Sequence, residues 1–513
     1  MSAPERQPGL TGTVLRGISF SGSGFILARG ITLVTYIVLA RLITPTELGD
    51  FTAGTFIIGI GVLLGGSGMA AAVIHRPDRL EEAAATAVVA TTGAGVLLTA
   101  LGVATAPLIG LVFDSDTAAA VAAATAGVLF LNSARVIPNA LLQRRFSFLR
   151  RVVVQPAASL AFGVVAIIAT SDGMGVWGLV AAQYAFVVTD FVLSWTLVQW
   201  RPQLQLSSVP MWRELIGYGR HVLAGSFVRR IGDRVPILAA GSFVGAAALG
   251  QFQYANRIVT TSYTLLGAGA SYVVFPAFAR IAHDERRLRA AFLRSLRWMA
   301  LVGMGLGLIL IPLGEPLAIL VFGERWAEAG EAIVALALFV PGRAIASVAG
   351  EGFKGAGVPA ERTRASIVGV TVGILVMVAL VPPLGLIGVA LGVSADAVAN
   401  GLYSIHRAHK AVGMPLGEMV RRIVEPLVAG VPMVLVLFAL ERFVVDTASQ
   451  PTGLGLVLLA GESVLGLLIY AIALRAVSPS AASDFGRVLR SFRDRGGPTD
   501  GDAPETAVGA SDI

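Results

Sequence analysis

The stretch GITLVTYIVLARLITPTELGDFTAGTFIIGIGVLLGGSGMAAAVIHRPDR, residues 30–79, decides the fold class. Two apolar runs flank a short polar turn, TPTELGD at 44–50, and the second run stops at Arg76 and Arg79. An α-helix rises about 1.5 Å per residue, so about 20 apolar residues cross the hydrocarbon of a bilayer. Extended to 18–43 and 50–74, both runs meet that length. The first is too long for a cleaved signal peptide and lacks a small-residue cleavage site. The stretch reads as two consecutive membrane helices preceded by a polar N-terminal segment, 1–17.

The same pattern continues along the chain. Further apolar runs lie at 84–113, 117–141, 152–171, 176–199, 215–243, 246–275, 296–322, 330–352, 365–383, 385–407, 421–444 and 453–476. The expectation is an all-α membrane protein of about fourteen transmembrane helices. Of the 513 residues, 55% are hydrophobic and 14% charged, against about 25% charged in soluble domains. No polar stretch between the first and last run is long enough for a soluble domain. Cysteine is absent, which excludes disulfides, thiolate metal sites and a cysteine nucleophile.

The net charge of +7 does not point to nucleic acid. The basic residues lie in short connections between apolar runs, where anionic lipid headgroups meet them. With the N-terminus in the cytoplasm, the outward connections hold only Arg41, Arg325 and Arg442. The inward ones hold Arg76 and Arg79, Arg144 to Arg151, Arg280 to Arg297, and Arg407, Lys410, Arg421 and Arg422. This asymmetry predicts a multi-pass protein with both termini cytoplasmic. A tail, 478–513, rich in Gly, Pro, Ser and Asp, is expected to be disordered there.

The chain repeats itself. Leu48-Gly49-Asp50-Phe51 aligns with Leu249-Gly250-Gln251-Phe252, and PLIGLVF at 107–113 with PLAILVF at 316–322. Leu129-Phe130 aligns with Leu338-Phe339, and Gly175 and Gly178 with Gly385 and Gly388. These matches keep their order at nearly constant offset, each at the same place in a six-helix unit. An even number of helices brings the second unit in with the orientation of the first, so the repeat is parallel. The predicted organisation is an N-terminal lobe at 18–205, a C-terminal lobe at 206–412, and two extra helices at 413–477. The two pseudo-symmetric bundles face each other across a central cavity.

Arginines fall inside the predicted spans: Arg29, Arg135, Arg229, Arg230, Arg234, Arg257 and Arg343. Each costs roughly 2.5–3.5 kcal/mol at a helix centre, so few of them face lipid. Among the acids within spans are Asp190, Asp233, Glu351 and Asp396, and Asp233 is at helical spacing from Arg229 and Arg230. The repeat carries Arg29 onto Arg230 and Arg135 to within one residue of Arg343. Paired cations facing across a cavity suit an anionic substrate, because the guanidinium fork binds phosphate oxygens bidentately and stays charged. The candidate binding residues are Arg29, Arg135, Arg230, Arg234, Arg257 and Arg343. Arg29 and Arg230 are expected to hold a diphosphate from the two lobes. The competing reading is that these arginines cap helix ends or close salt bridges. No Walker A, G-x-S-x-G or H-E-x-x-H sequence occurs, so neither an enzyme nor a cofactor is expected.

ARLITPTELGDF at 40–51, LLQRRFSFLRR at 141–151 and GVWGLVAAQ at 175–183 resemble segments of oligosaccharide flippases of the polysaccharide-biosynthesis family. So do ALGQFQYANR at 248–257, YVVFPAFARI at 272–281 and GAGVPAERTR at 355–364. That family lies within the multidrug/oligosaccharidyl-lipid/polysaccharide superfamily, and the likeness is to its Wzx-like, teichuronic-acid-type exporters. The resemblance implies a flippase in a bacterial cytoplasmic membrane, working by alternating access. Its substrate would be a polyprenyl-diphosphate-linked oligosaccharide, and a coupling ion, H+ or Na+, is left open. The alternatives are a cation-coupled multidrug exporter and a lipid II flippase of the same superfamily. The span at 18–43 holds Arg29 and no acid, against the first. The chain lacks the S-R-x-x-G-type opening of the second.

Overall fold

The computed structural model describes residues 27–76, 78–144, 148–280 and 284–478, and every regular element among them is helical. The first part of the expected first span and the tail beyond Ser478 lie outside the described residues.

The chain enters as α1, residues 27–42. The turn after it is set by TPTE. Thr44 caps the next helix, Pro45 occupies its first turn, and Glu47 completes a capping box. The Glu47 amide donates to Thr44 Oγ1 at 3.3 Å, and the Thr44 amide donates to Glu47 Oε2 at 2.7 Å. Such a cap contributes about 0.5–2 kcal/mol. The second span is built from three pieces, α2 (Pro45–Gly54), α3 (Phe56–Leu64) and α4 (Ser67–His75). It breaks at Thr55 and at Gly65-Gly66, where Gly66 takes a φ of 159°.

Next come α5 (Leu80–Phe113), α6 (Asp116–Thr125), α7 (Gly127–Arg144), α8 (Phe148–Ser171) and α9 (Val176–Leu197). The second half repeats the plan. It runs α10 (Val209–Gly232), α11 (Val235–Ala239) with a π-helical turn at Ala240–Val244, α12 (Ala246–Arg280), α13 (Glu285–Leu308) and α14 (Leu310–Phe322). It continues with α15 (Ala327–Ala335), α16 (Phe339–Gly355), α17 (Ala360–Leu384) and α18 (Leu386–Val412). A final hairpin, α19 (Leu416–Leu440) and α20 (Thr452–Val477), follows.

Among the described residues eight helices are long and apolar enough to span a membrane, or ten if each of two bent pairs is one span. The bends are 53° between α13 and α14 and 44° between α15 and α16. The four other expected spans are α1, α2–α4, α10–α11 and α12. They are helical; α1 is described only from residue 27, α2–α4 and α10–α11 are interrupted, and α12 carries Arg257. They also form the contact between the two halves, since α2 packs on α12 and α4 on α10. Polarity thus concentrates where the halves meet. Large exposed apolar side chains, such as Leu97, Leu111, Val378 and Ile472, suit contact with lipid.

The repeat is visible in the backbone. Gly175 before α9 has φ 52° and ψ −126°, and Gly385 before α18 has φ 53° and ψ −123°. Both hairpin turns need the positive φ that glycine permits. Gly178 and Gly388, one turn on, each press against the backbone of the preceding helix; a Cβ on Gly388 would lie 2.3 Å from Leu380 O. One hydrophobic core joins both halves, running from Leu39 and Ile43 through Leu48, Tyr254 and Phe322 to Trp326. A second core fastens α19 and α20 to α13 and α16. α10 packs along α4 and α5 of the first half, while α11 packs on α17 and α18. The seventh span therefore bridges the two lobes.

Candidate substrate cavity

The halves meet at two places. The first lies on the arginine-poor face, at the repeated sequences LGDF and LGQF. A Cβ on Gly49 would lie 1.8 Å from Ala246 O, and one on Gly250 would lie 1.9 Å from Pro45 O. The two related glycines thus let α2 and α12 cross backbone to backbone. The residues beside them hold the crossing. Asp50 accepts from Ser115 Oγ at 2.6 Å, and Gln251 takes the Ala329 amide at 3.0 Å and donates to Arg325 O at 2.7 Å. Each repeat therefore ties its crossing helix to the start of its own fourth span. Between lobes, Trp326 Nε1 donates to Ala40 O at 2.8 Å and Arg41 donates to Leu320 O at 2.9 Å. Arg325 donates to Ile43 O at 3.2 Å.

The second contact is on the arginine-rich face. A Cβ on Gly68 of α4 would lie 2.8 Å from Gly219 O of α10. Beyond it Arg76 pairs with Glu214 at 2.7 Å, and the Arg76 guanidinium holds the Glu214 carboxyl below the usual carboxylate range. Between these two contacts lie the arginines of spans 1, 7 and 8.

Arg257 of α12 lays its guanidinium over the Tyr36 ring of α1, 3.4 Å from the centroid. It lines a cavity of about 150 Å³ with Thr52, Thr55 and Gln253. Tyr254 Oη donates to Tyr36 O at 2.9 Å, which fixes the stacked ring. Arg29, two turns before Tyr36, is exposed and within electrostatic range of Arg257. Arg234 is grouped with Arg230 and Asp233 on the seventh span. Its guanidinium lies so close over Gly59 of α3 that a Cβ there would stand 1.6 Å from it. Arg230 is exposed; the Arg229 side chain lies outside the described residues. The repeat-related pair Arg29 and Arg230 therefore have different neighbours. Arg29 lies within electrostatic range of Arg257, and Arg230 within range of Arg234.

Arg135 and Arg343 are engaged within their lobes. Arg135 pairs with Asp190, which also accepts from Asn139 at 3.3 Å, Gln155 at 3.2 Å and Ser194 at 3.0 Å. Arg343 pairs with Asp396 at 2.8 Å and lies 5.4 Å from the Phe339 ring centroid. It lines a cavity of about 490 Å³ together with Asp233, Tyr263, Arg362 and Asp396. The carboxylates are themselves repeat-related: 396 − 190 is 206, against 343 − 135, which is 208. The acids thus carry the repeat as the arginines do, a signal present in the residue numbers alone. Gly369 and Gly373 of α17 leave the room that Asp396 fills.

A buried ion pair is costly to break from one side, because the remaining charge loses its partner. Asp190→Ala is expected to destabilise the folded protein by about 3–5 kcal/mol. A lower midpoint of thermal unfolding in detergent, largely restored by Arg135→Gln in the same chain, would show it. An unchanged midpoint would remove the structural role.

Sequence reasoning misses two acids in the last hairpin, Glu441 and Glu462. The run 453–476 reads as continuously apolar but for Glu462.

Comparison with known proteins gives consistent results. A family model described as polysaccharide biosynthesis protein matches residues 38–331, and one described as lipid II flippase MurJ matches residues 221–451. The chain is 23% identical over 334 residues to the teichuronic acid biosynthesis protein TuaB of Bacillus subtilis, covering 64% of this chain and 69% of that one. It is 23% identical to the succinoglycan biosynthesis transport protein ExoT of Rhizobium meliloti, covering 64% and 66%. It is 24% identical to the lipopolysaccharide biosynthesis protein WzxC of Escherichia coli, covering 61% and 64%.

Among solved structures, lipid II flippase MurJ in an inward closed conformation superposes with a TM-score of 0.72 at 15% identity, covering 89% of this chain and 98% of that one. An inward-facing multidrug resistance MATE transporter of the MOP superfamily gives 0.62 at 17%, covering 76% and 94%. These likenesses show that the chain has the fold of those membrane transporters. The match over more than half its length makes this chain a member of the polysaccharide biosynthesis protein family.

Proposed function

We propose that this protein is a flippase that carries a polyprenyl-diphosphate-linked oligosaccharide from the inner to the outer leaflet of a bacterial cytoplasmic membrane. The arginine-rich face then lies in the cytoplasm and both termini with it. One observation carries the reading. Arg257 of the second lobe stacks on Tyr36 of the first, two turns from Arg29 and within its electrostatic range, with Arg230 and Arg234 on the adjoining seventh span. Like charges gathered along one interface repel, and a dianionic or trianionic ligand relieves them. The diphosphate is the one part of such substrates that does not vary with the glycan, and it meets two planar cations from opposite lobes. The sugar crosses through the polar interface while the lipid tail stays in the bilayer. The names of the relatives, all concerned with polysaccharide assembly or transport, support this reading.

The carboxyl-terminal match to the lipid II flippase model favours a second substrate that shares the chemistry, a polyprenyl diphosphate bearing a peptide-linked sugar. In either case a fluorescent short-chain polyprenyl-diphosphate sugar should flip faster in vesicles holding the purified protein than in protein-free vesicles. Unlabelled polyprenyl diphosphate should compete. Equal flipping of an uncharged lipid, with no competition by the diphosphate, would overturn the proposal.

A further inference from the structure

The last hairpin holds a group of polar atoms that neither the repeat nor the cavity uses. α19 ends in a π-helical turn, Glu441–Val445, followed by a 3-10 turn, Thr447–Ser449, before α20 begins. The turn folds inward, so Thr447 is fully buried and Glu462, well inside α20, is 4% exposed. The Thr447 amide donates to Glu441 Oε1 at 3.0 Å. The Thr447 hydroxyl lies against Glu441 Oε2 and 3.4 Å from Glu462 Oε2. Glu462 Oε1 is buried with no hydrogen-bond partner among the described residues, and the one Thr447 hydroxyl touches both carboxyls.

Counting protons exposes a deficit. Two ionised carboxylates offer four acceptor oxygens and no donor. Thr447 supplies one amide proton and one hydroxyl proton, and the hydroxyl serves only one carboxylate at a time. No cation makes up the difference. Among the described residues no salt bridge reaches Glu441 or Glu462. The charged groups on the elements packed around the pair are Glu315 of α14, Arg442 and Asp446 of the turn, and Glu324 and Arg325 after α14. Arg442 is exposed, and Arg325 donates to Ile43 O in the other lobe. The remaining charges of the hairpin, Glu418, Arg421, Arg422 and Glu425 on α19 and Arg475 on α20, are at its opposite end. The surroundings are apolar: Gly455 is pressed between Leu320 and the Thr447 carbonyl, and Leu459 is buried beside it.

We propose that Glu441 and Glu462 form a proton-binding site, sharing one proton as a carboxylic acid–carboxylate pair whose occupancy keeps the turn of the hairpin docked. The bound proton bridges the two carboxyls, so the pair carries one negative charge, which the Thr447 amide and hydroxyl solvate. Loss of that proton leaves two like charges at a site whose inner half is buried, and the site relieves them by opening to solvent. The hairpin end is thus a latch that responds to proton concentration on the arginine-poor face. This inference does not depend on the identity of the transported lipid.

Infrared spectroscopy of the purified full-length protein reads the proton directly. At neutral pH the wild type should show a carboxylic-acid carbonyl band that Glu462→Gln lacks, and Glu441→Gln should lack it too. The absence of cysteine permits a second readout. Labelling of a cysteine at Leu459, buried beside the pair, relative to one at exposed Val457, should rise at alkaline pH in an otherwise wild-type chain. It should stay flat when Glu462→Gln is added. Should Glu462→Gln fail to fold, Glu441→Gln carries both measurements. Spectra that coincide for wild type and both variants would overturn the proposal, as would parallel labelling ratios. Thermal stabilisation by sodium at neutral pH, lost in Glu462→Gln, would assign the site to a metal cation and overturn it equally.

Discussion

Replacing Arg29 and Arg257 together by alanine is expected to abolish glycan export while leaving the protein inserted in the membrane. The two guanidiniums come from opposite lobes, and Arg257 is held in place by the Tyr36 ring beneath it. A charge-assisted hydrogen bond contributes about 1.5–3 kcal/mol, so each alanine should weaken diphosphate binding about ten- to hundredfold. Together they take the affinity below useful substrate concentrations. Lysine at either position should restore part of the activity, because it keeps the charge and loses the bidentate fork. At 257 the rescue should be poorer, since lysine also loses the planar stack on Tyr36.

Arg230→Ala combined with Arg29→Ala, the pair that the repeat alone selects, should abolish export as well if the seventh span delivers its cations to the same ligand. A double variant at 29 and 257 that exports glycan at the wild-type rate would end the diphosphate assignment. A variant that loses export only because its unfolding midpoint falls would show the arginines holding the lobes together instead.

Much of this architecture is legible in the sequence, and the reasons are physical. Hydrocarbon demands helices of fixed length, so apolar runs mark spans. The exceptions carry information too. The spans α2–α4 and α10–α11 are broken into pieces, and those pieces pack across the interface between lobes. The repeat is legible where backbone geometry demands one residue type, as at Gly175 and Gly385 with their matching positive φ.

Partners are harder. Arg135 finds Asp190 two spans away and Arg343 finds Asp396, contacts that helical spacing on one helix cannot announce. The approach of Arg29 to Arg257 depends on how two lobes cross, which no local periodicity encodes. Glu462 is hidden for the opposite reason. One acid in an apolar run leaves the run apolar, and only the folded turn at Thr447 brings a second carboxylate to it.

The crossing itself yields the second large effect. Gly49→Val and Gly250→Val should each stop export by preventing the arginine-poor face from closing, and each should do so with the helix intact. Both glycines are inside helices, so a side chain there raises intrinsic helix propensity by up to about 1 kcal/mol. Any loss must therefore come from the contact. A Cβ at either site would lie under 2 Å from a carbonyl oxygen of the opposite lobe, and backbone on both sides leaves nothing flexible to give way. The lobes must separate at that face, so the population shifts toward a state open there.

Even Gly49→Ala should do this, because the first carbon alone makes the clash. A cysteine placed at Gln253, which bonds Thr52 just inside the crossing, should then react with an impermeant thiol reagent added from the arginine-poor side. It should be protected in the parent chain. Gly68→Val, at the other contact, should leave that cysteine protected and open the arginine-rich face instead. The two ends would then give opposite labelling patterns from the same kind of substitution, a result that general destabilisation cannot produce. Wild-type export and unchanged protection in Gly49→Val would show that the glycine crossing is no gate.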